Sequence, residues 1–279
     1  MNCFDCPRNC GIDRENHLGF CQESNKIRVA KIIENFMWEE PCISGDKGAL
    51  AIFFSGCNLK CSFCQNKEIS HAGKGIVYTA EEFRQLILSY DLSQYSSIDL
   101  ITPSHFSSLL FDALNGLALP IPVVWNSSGY ENVEIIEKIS QFVDVFLPDI
   151  KFYDNQLSKS VAKAEDYFAV ASKAIITMRK FKPENKFNKG ILQEGVLIRH
   201  LVLPGKTKDS LKILDFIKNN IKAPFISLMS QFLPLGDQFS RKIYPLEYKT
   251  VLSYAEKLGL VEGYLQEFDS ADDQFIPEF

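Results

Sequence analysis

An α/β fold on a largely parallel sheet is predicted, on three observations. Short apolar runs alternate with amphipathic stretches six times after residue 48. The first run, ALAIFF (49–54), is continuously apolar rather than alternating, as in a strand buried on both faces. Hydrophobic residues make up 46% of the 279, enough for a sizeable core, which excludes global disorder.

The elements follow in order. ALAIFF (49–54) reads as the first strand. TAEEFRQLILSY (79–90) reads as an amphipathic helix, with Thr79 and Glu82 at capping-box spacing. IDLIT (98–102) precedes HFSSLLFDALNGL (105–117), and PVVW (122–125) precedes ENVEIIEKISQF (131–142). VDVFLPDI (143–150) leads into helical sequence over 154–180. GVLIRHLVL (195–203) precedes TKDSLKILDFIKNN (207–220), and FISLM (225–229) precedes PLEYKTVLSYAEKLG (245–259). The polar stretch FKPENKFNKG (181–190) reads as a surface loop. Right-handed crossovers wind such a chain into a barrel or a doubly wound sheet. Six units are too few for a closed eight-stranded barrel, and no G-x-G-x-x-G follows the first strand. In either architecture ligands sit at the carboxyl ends of the strands.

Composition narrows the function. Thirty basic against 35 acidic residues argue against a nucleic-acid or membrane-surface binder. No apolar run approaches the roughly 20 residues of a membrane helix. The start, MNCFDCPRNC, lacks the pattern of a secretory signal, so a cytoplasmic protein is expected.

The eight cysteines all precede residue 65. In a reducing compartment clustered thiols bind metal or do redox work more often than they form disulfides. Cys3, Cys6, Cys10 and Cys21 are spaced C-x2-C-x3-C-x10-C. Four thiolates suit a closed zinc site or a fully ligated auxiliary [4Fe–4S] cluster. Metal would stabilise a segment too short and polar to fold on apolar burial. Cys57, Cys61 and Cys64 are spaced C-x3-C-x2-C just after the first strand, where Gly56 permits a sharp turn. Three thiolates on a cube leave one iron open to a ligand. A zinc site is the alternative, with Cys42 or His71 as a fourth ligand.

Cys57, Cys61, Phe63 and Cys64, on a six-unit β/α chain, resemble the radical S-adenosylmethionine superfamily. CPRNCGIDR, WEEPCISGDKGALAIFFSGCNLKCSFCQNKEIS, LIRHLVLPG and SLMSQF are similar to the branch related to pyruvate formate-lyase-activating enzyme. The resemblance implies a partial (β/α)6 TIM-like barrel with a C-terminal extension over 48–279, after a four-cysteine metal-binding segment and connector over 1–47. It implies a [4Fe–4S] cluster on the three cysteines, S-adenosylmethionine chelated at the open iron, and a 5′-deoxyadenosyl radical that abstracts hydrogen. Phe63 corresponds to the family's aromatic beside the adenine.

The strand ends carry the other candidates. Thr102 and Ser104 follow the second strand, where relatives place a Gly-Gly-Glu for the cofactor's amino group; that motif is absent here. Ser104 reads as a helix cap and His105 as a residue near the site mouth. Asn126, Ser127 and Ser128 follow the third strand, and Asn126 stands where related activases carry an acid that helps bind a cation. Asp149 and Lys151, two apart in extended chain, point the same way. Arg199, inside an apolar strand, needs a carboxylate partner, and relatives use it near the methionine carboxylate. His200, on the opposite face, reads as a core histidine. Ser230, Gln231 and Phe232 fall near the adenine position. Trp38, Glu39 and Glu40 either close the site or tie the N-terminal segment to the barrel.

Three readings follow. One is an activating enzyme whose partner is a glycyl-radical enzyme, with an electron donor such as flavodoxin or ferredoxin. Another is a radical enzyme acting on a different protein or a small molecule. The third is a non-catalytic zinc-binding adaptor.

Overall fold

The structure, a computed structural model, describes residues 2–236 and 238–268. β1 (Ile27–Phe36) and β2 (Ala49–Phe54) are antiparallel, with Ile32 opposite Ile52. Between them lies α1 (Pro41–Ser44), one helical turn opened by proline, whose missing N–H costs nothing at that position. α2 (Lys67–Ala72) and β3 (Ile76–Tyr78) follow, β3 pairing with β1. α3 (Ala80–Leu88) carries the predicted capping box. The Glu82 N–H donates to Thr79 Oγ1 at 3.2 Å, and the Thr79 N–H returns to the Glu82 carboxylate at 2.7 Å.

Strands and helices then alternate: β4 (Ser97–Ile101), α4 (Ser107–Leu114), β5 (Val123–Ser127), α5 (Val133–Ile139) and β6 (Val145–Pro148). The helical stretch over 154–180 is two helices, α6 (Asn155–Ala162) and α7 (Tyr167–Phe181), broken where Lys163 takes a left-handed φ of 58°. β7 (Lys186–Asn188), β8 (Ile191–Leu201), α8 (Thr207–Asn220), β9 (Phe225–Met229), α9 (Pro245–Lys257) and β10 (Gly263–Leu265) complete the described chain.

The sheet order is β10-β9-β8-β6-β5-β4-β2-β1-β3, with β7 on β8. From β2 to β10 every neighbouring pair on that path is parallel and the order never reverses. A doubly wound sheet reverses at its switch point, so this order is that of an unclosed TIM-like barrel.

Two apolar layers hold it. Outside, helix residues such as Phe83, Leu110, Ile136 and Ile213 bury against Phe54, Leu100, Trp125 and Ile198 of the strands. Each side chain so buried contributes roughly 1.5–3 kcal/mol. Inside, Cys42 and Ile43 of α1 pack on Val124, Val145, Leu147 and Leu197. The Ser97 hydroxyl donates to the Ile43 carbonyl at 2.9 Å. Ser97 opens β4, so α1 closes the amino-terminal end of the barrel.

Two expectations change. The stretch 181–190 is not wholly loop: it holds β7, which is solvent-exposed and held to β8 by backbone pairing. The connector before residue 48 contains β1, a ten-residue strand of the same sheet.

Candidate functional site

A cavity of about 570 Å³ opens at the carboxyl ends of the parallel strands. Its walls include Cys57, Cys61, Phe63, Cys64, Thr102, Asn126, Ser127, Asp149, Lys151, Arg199 and Gln231. These residues, singled out in the sequence for cluster or cofactor, therefore face one space, whereas Ser230 does not: it is fully buried and its hydroxyl donates to the Glu267 carbonyl at 2.7 Å.

The cysteine loop leaves β2 through Gly56, at φ 76°. A Cβ there would lie 2.7 Å from the Cys21 carbonyl oxygen and 2.7 Å from Glu23 Cγ, so only glycine lets the N-terminal segment pack this closely. The Leu59 N–H donates to Cys57 Sγ at 3.3 Å, and Cys64 Sγ lies 3.6 Å from the Ser70 hydroxyl. Burial pushes the Cys57 thiol up to about 11 and raises Cys61 as well, while the Lys151 cation pulls both back. Phe63 sits in an aromatic cluster, its ring centroid 5.5 Å from Phe232 and 5.9 Å from Phe239. Gln231 accepts from Gln65 through its backbone carbonyl at 3.1 Å and from Gln266 through its side chain at 2.7 Å.

The polar floor centres on Arg199. It donates to Asp149 at 3.1 Å, to Glu39 at 2.8 Å and to the Asn126 side-chain oxygen. Lys151 pairs with the other Asp149 oxygen. Burial pushes the Asp149 carboxyl up, but the Lys151 and Arg199 cations outweigh it and hold the group below the usual carboxylate range. Burial also disfavours the Arg199 charge, and Asp149, Glu39 and Glu40 more than offset this. Burial carries Glu39 up to about 7. Asp99, on β4, is raised well above its ordinary value by burial and by the Glu39 charge. Glu39 and Glu40 thus belong to the site, although Trp38 to Glu40 were equally readable as a tether. Asp99 was hidden in IDLIT, where one acid inside an apolar strand was the available signal.

Two residues stand elsewhere than expected. His105 is not at the mouth: it is 1% exposed, and its Nε2 lies 2.7 Å from the Ser55 carbonyl oxygen. Burial lowers its pKa to about 3 and keeps the ring neutral. Ser104 caps no helix; its hydroxyl donates to Glu131 at 2.6 Å. His200 is a core residue as expected, bridging the Ile150 carbonyl and Ser210. Cys42, offered as a fourth ligand, lies in α1 inside the barrel.

The loop suits a cube better than a single ion. A cube takes one thiolate at each of several corners, so its ligands stay apart. A zinc ion would draw them to one point. Among the described residues no three of His, Cys, Asp and Glu converge to hold one ion. Three half-buried thiols facing one cavity, beside a lysine and an N–H···S bond, fit the cluster. The N-terminal cysteines gather in one fold of chain: a Cβ on Gly19 would lie 3.4 Å from Cys21 Sγ and 3.7 Å from Cys10 Sγ.

Residues 51–217, more than half of the chain, match the family described as the radical SAM superfamily. An uncharacterised protein of Methanocaldococcus jannaschii is 31% identical over 282 residues, covering 94% of this chain and 75% of that one. Pyruvate formate-lyase-activating enzyme of Clostridium pasteurianum is 27% identical over 232 residues, covering 77% and 89%. Among solved structures, Streptococcus suis SuiB bound to its precursor peptide SuiA aligns at TM-score 0.52 and 12% identity, over 76% of this chain. The match spans about half of the SuiB chain, at 46%. A spore photoproduct lyase mutant aligns at TM-score 0.51 and 11% identity, over 76% and 74%. These two likenesses concern the fold alone. In sequence and in architecture, the chain belongs to the radical S-adenosylmethionine superfamily.

Proposed function

We propose that this enzyme cleaves S-adenosylmethionine reductively and takes a hydrogen atom from a glycine of a glycyl-radical enzyme. The observation that carries the reading is the convergence of Cys57, Cys61 and Cys64 with Asp149, Lys151 and Arg199 on one cavity. The Clostridium pasteurianum relative supports the choice of substrate. A [4Fe–4S] cluster, when bound to the three cysteines, supplies the electron for that cleavage.

The chain's own residues then have separate tasks. Lys151 and Arg199 offer cationic donors to the cofactor carboxylate, and Asp149 fixes both in position. Phe63 and Gln231 line the place of the adenine. Phe232 backs Phe63 and keeps water from it. Thr102, Asn126 and Ser127 supply polar contacts at the ends of β4 and β5. Cys3, Cys6, Cys10 and Cys21 close a second site for zinc or an auxiliary cluster. The electron donor is a flavodoxin or ferredoxin, and the enzyme works in the cytoplasm. Among the described residues no helix is long and apolar enough to cross a membrane.

A second reading keeps the radical chemistry on another protein or a small molecule. Asn126 favours it, because it brings no charge where the related activases carry an acid.

The test is anaerobic reconstitution, followed by metal analysis, paramagnetic resonance and assay for 5′-deoxyadenosine. The expected protein is brown, with a reduced-cluster signal that changes on adding S-adenosylmethionine. Replacing Cys57, Cys61 or Cys64 by Ala should abolish product and the signal that responds to S-adenosylmethionine. A glycyl-radical doublet on an added partner supports the substrate; turnover with no doublet on any partner leaves the second reading. A protein that stays colourless after reconstitution sinks both.

A further inference from the structure

The cavity floor holds more carboxylates than its cations answer. Asp149 takes Lys151 and shares Arg199, which also donates to Glu39 and Asn126. Glu40 also lines the cavity, with its side chain 9% exposed. Its Oε2 lies 4.0 Å from the Arg199 guanidinium, beyond hydrogen-bond reach, and is buried with no hydrogen-bond donor. Behind it Asp99 is fully buried, accepts from Asn126 on one oxygen at 3.2 Å, and has no donor on the other. Four carboxyl groups therefore meet two cations, and two of their buried oxygens have no hydrogen-bond partner. Such oxygens are costly to keep out of water, so the arrangement suits a donor that arrives with a ligand.

The chemistry of that donor is constrained. A divalent cation wants six or more oxygens. No three of His, Cys, Asp and Glu converge on a point among the described residues. An ammonium carries three donors and accepts an incomplete oxygen cage. Above the floor the rim is apolar: Met37, Trp38 and Leu265 line the cavity and are each about half exposed. That wall suits an aliphatic stem.

We propose that Glu40, backed by Glu39 and Asp99, receives a primary alkylammonium group of the substrate, from a lysine side chain or a free amine. The inference rests on the enzymatic reading above and names its substrate class. The group recognised need not be the carbon that loses hydrogen, so a lysine near a target glycine satisfies it.

The probe is n-butylammonium chloride on the anaerobically reconstituted full chain, against n-butanol and sodium chloride at equal concentration. At ten times its Kd the amine should raise Tm by about 3 °C, and the two controls should not. E40Q, which keeps the shape and removes the charge, should weaken the amine at least tenfold. If E40Q fails to fold, calorimetric titration of the unsubstituted protein with amine and with butanol still decides. Three results would overturn the proposal: an equal effect of sodium, an unchanged response in E40Q, or displacement of the amine by S-adenosylmethionine. The last would give the pocket to the cofactor's own amino group. A lysine-bearing peptide that binds more tightly than butylammonium identifies a protein source, and the reverse order a free amine. Absence of 5′-deoxyadenosine would sink the enzymatic reading even with amine bound, so the two failures are distinguishable.

Discussion

Thr102 carries a left-handed backbone, φ 63°, at the carboxyl end of β4, with its N–H donating to the Asn126 carbonyl at 2.8 Å. A β-branched residue is strained there, at a cost of about 1–2 kcal/mol. Thr→Gly in an ordinary strand loses about 1 kcal/mol. T102G should instead leave stability unchanged or raise it by up to about 1 kcal/mol in urea unfolding, while weakening S-adenosylmethionine binding. A clear loss of stability would show that the residue is not strained. Glu131 makes a second prediction. It is 1% exposed, takes Ser104 and Trp125 on one oxygen, and has no donor on the other. Burial raises its carboxyl from 4.5 to about 7. The folded state thus binds the proton more tightly, so its contribution is complete below pH 4.5 and is lost as pH rises through 7. The loss is on the order of 3 kcal/mol. E131Q should remove this dependence and unfold at higher urea than the unsubstituted protein at pH 8; parallel profiles would refute it. Thr102 was legible as a strand end but not as strained. Glu131 was legible only as the first residue of a helical stretch, because burial by a distant segment leaves no local mark.

α1 is the element with the largest leverage for its length. One turn fills the barrel's closed end and presents Glu39 and Glu40 to the floor. Ile43 is fully buried, so I43A should cost about 2–4 kcal/mol in urea unfolding. A cost below 1 kcal/mol would mean that the end collapses around the gap. The sequence disclosed the continuous apolar strands well: ALAIFF and FISLM are strands at the predicted residues. TKDSLKILDFIKNN is a helix over its full length. It disclosed β1 poorly, because Arg28, Lys31 and Glu34 interrupt IRVAKIIENF and its pairing partner lies beyond a loop. β7 and β10, three residues each, hold by backbone pairing that composition does not reveal.

For the molecule as a whole, the N-terminal segment and the barrel are joined through the cysteine loop. Arg8 donates to the Asn58 carbonyl at 2.7 Å and to the carbonyls of Ala162 and Lys163 at the α6–α7 break. Arg14 donates to the His105 carbonyl at 2.6 Å. R8A should still take up iron but lose its brown absorbance several-fold faster under chelator. An unchanged decay would confine Arg8 to holding the segment. These contacts span up to 155 residues, which is why spacing disclosed the cysteines but not what clamps them. The plug formed by α1 has a last consequence, for timing. Among the described residues α1 stops the amino end of the barrel, so cofactor and substrate both reach the cavity floor from the carboxyl ends of the strands. Whatever enters first lies deepest and leaves last, so turnover is expected to obey a compulsory sequence.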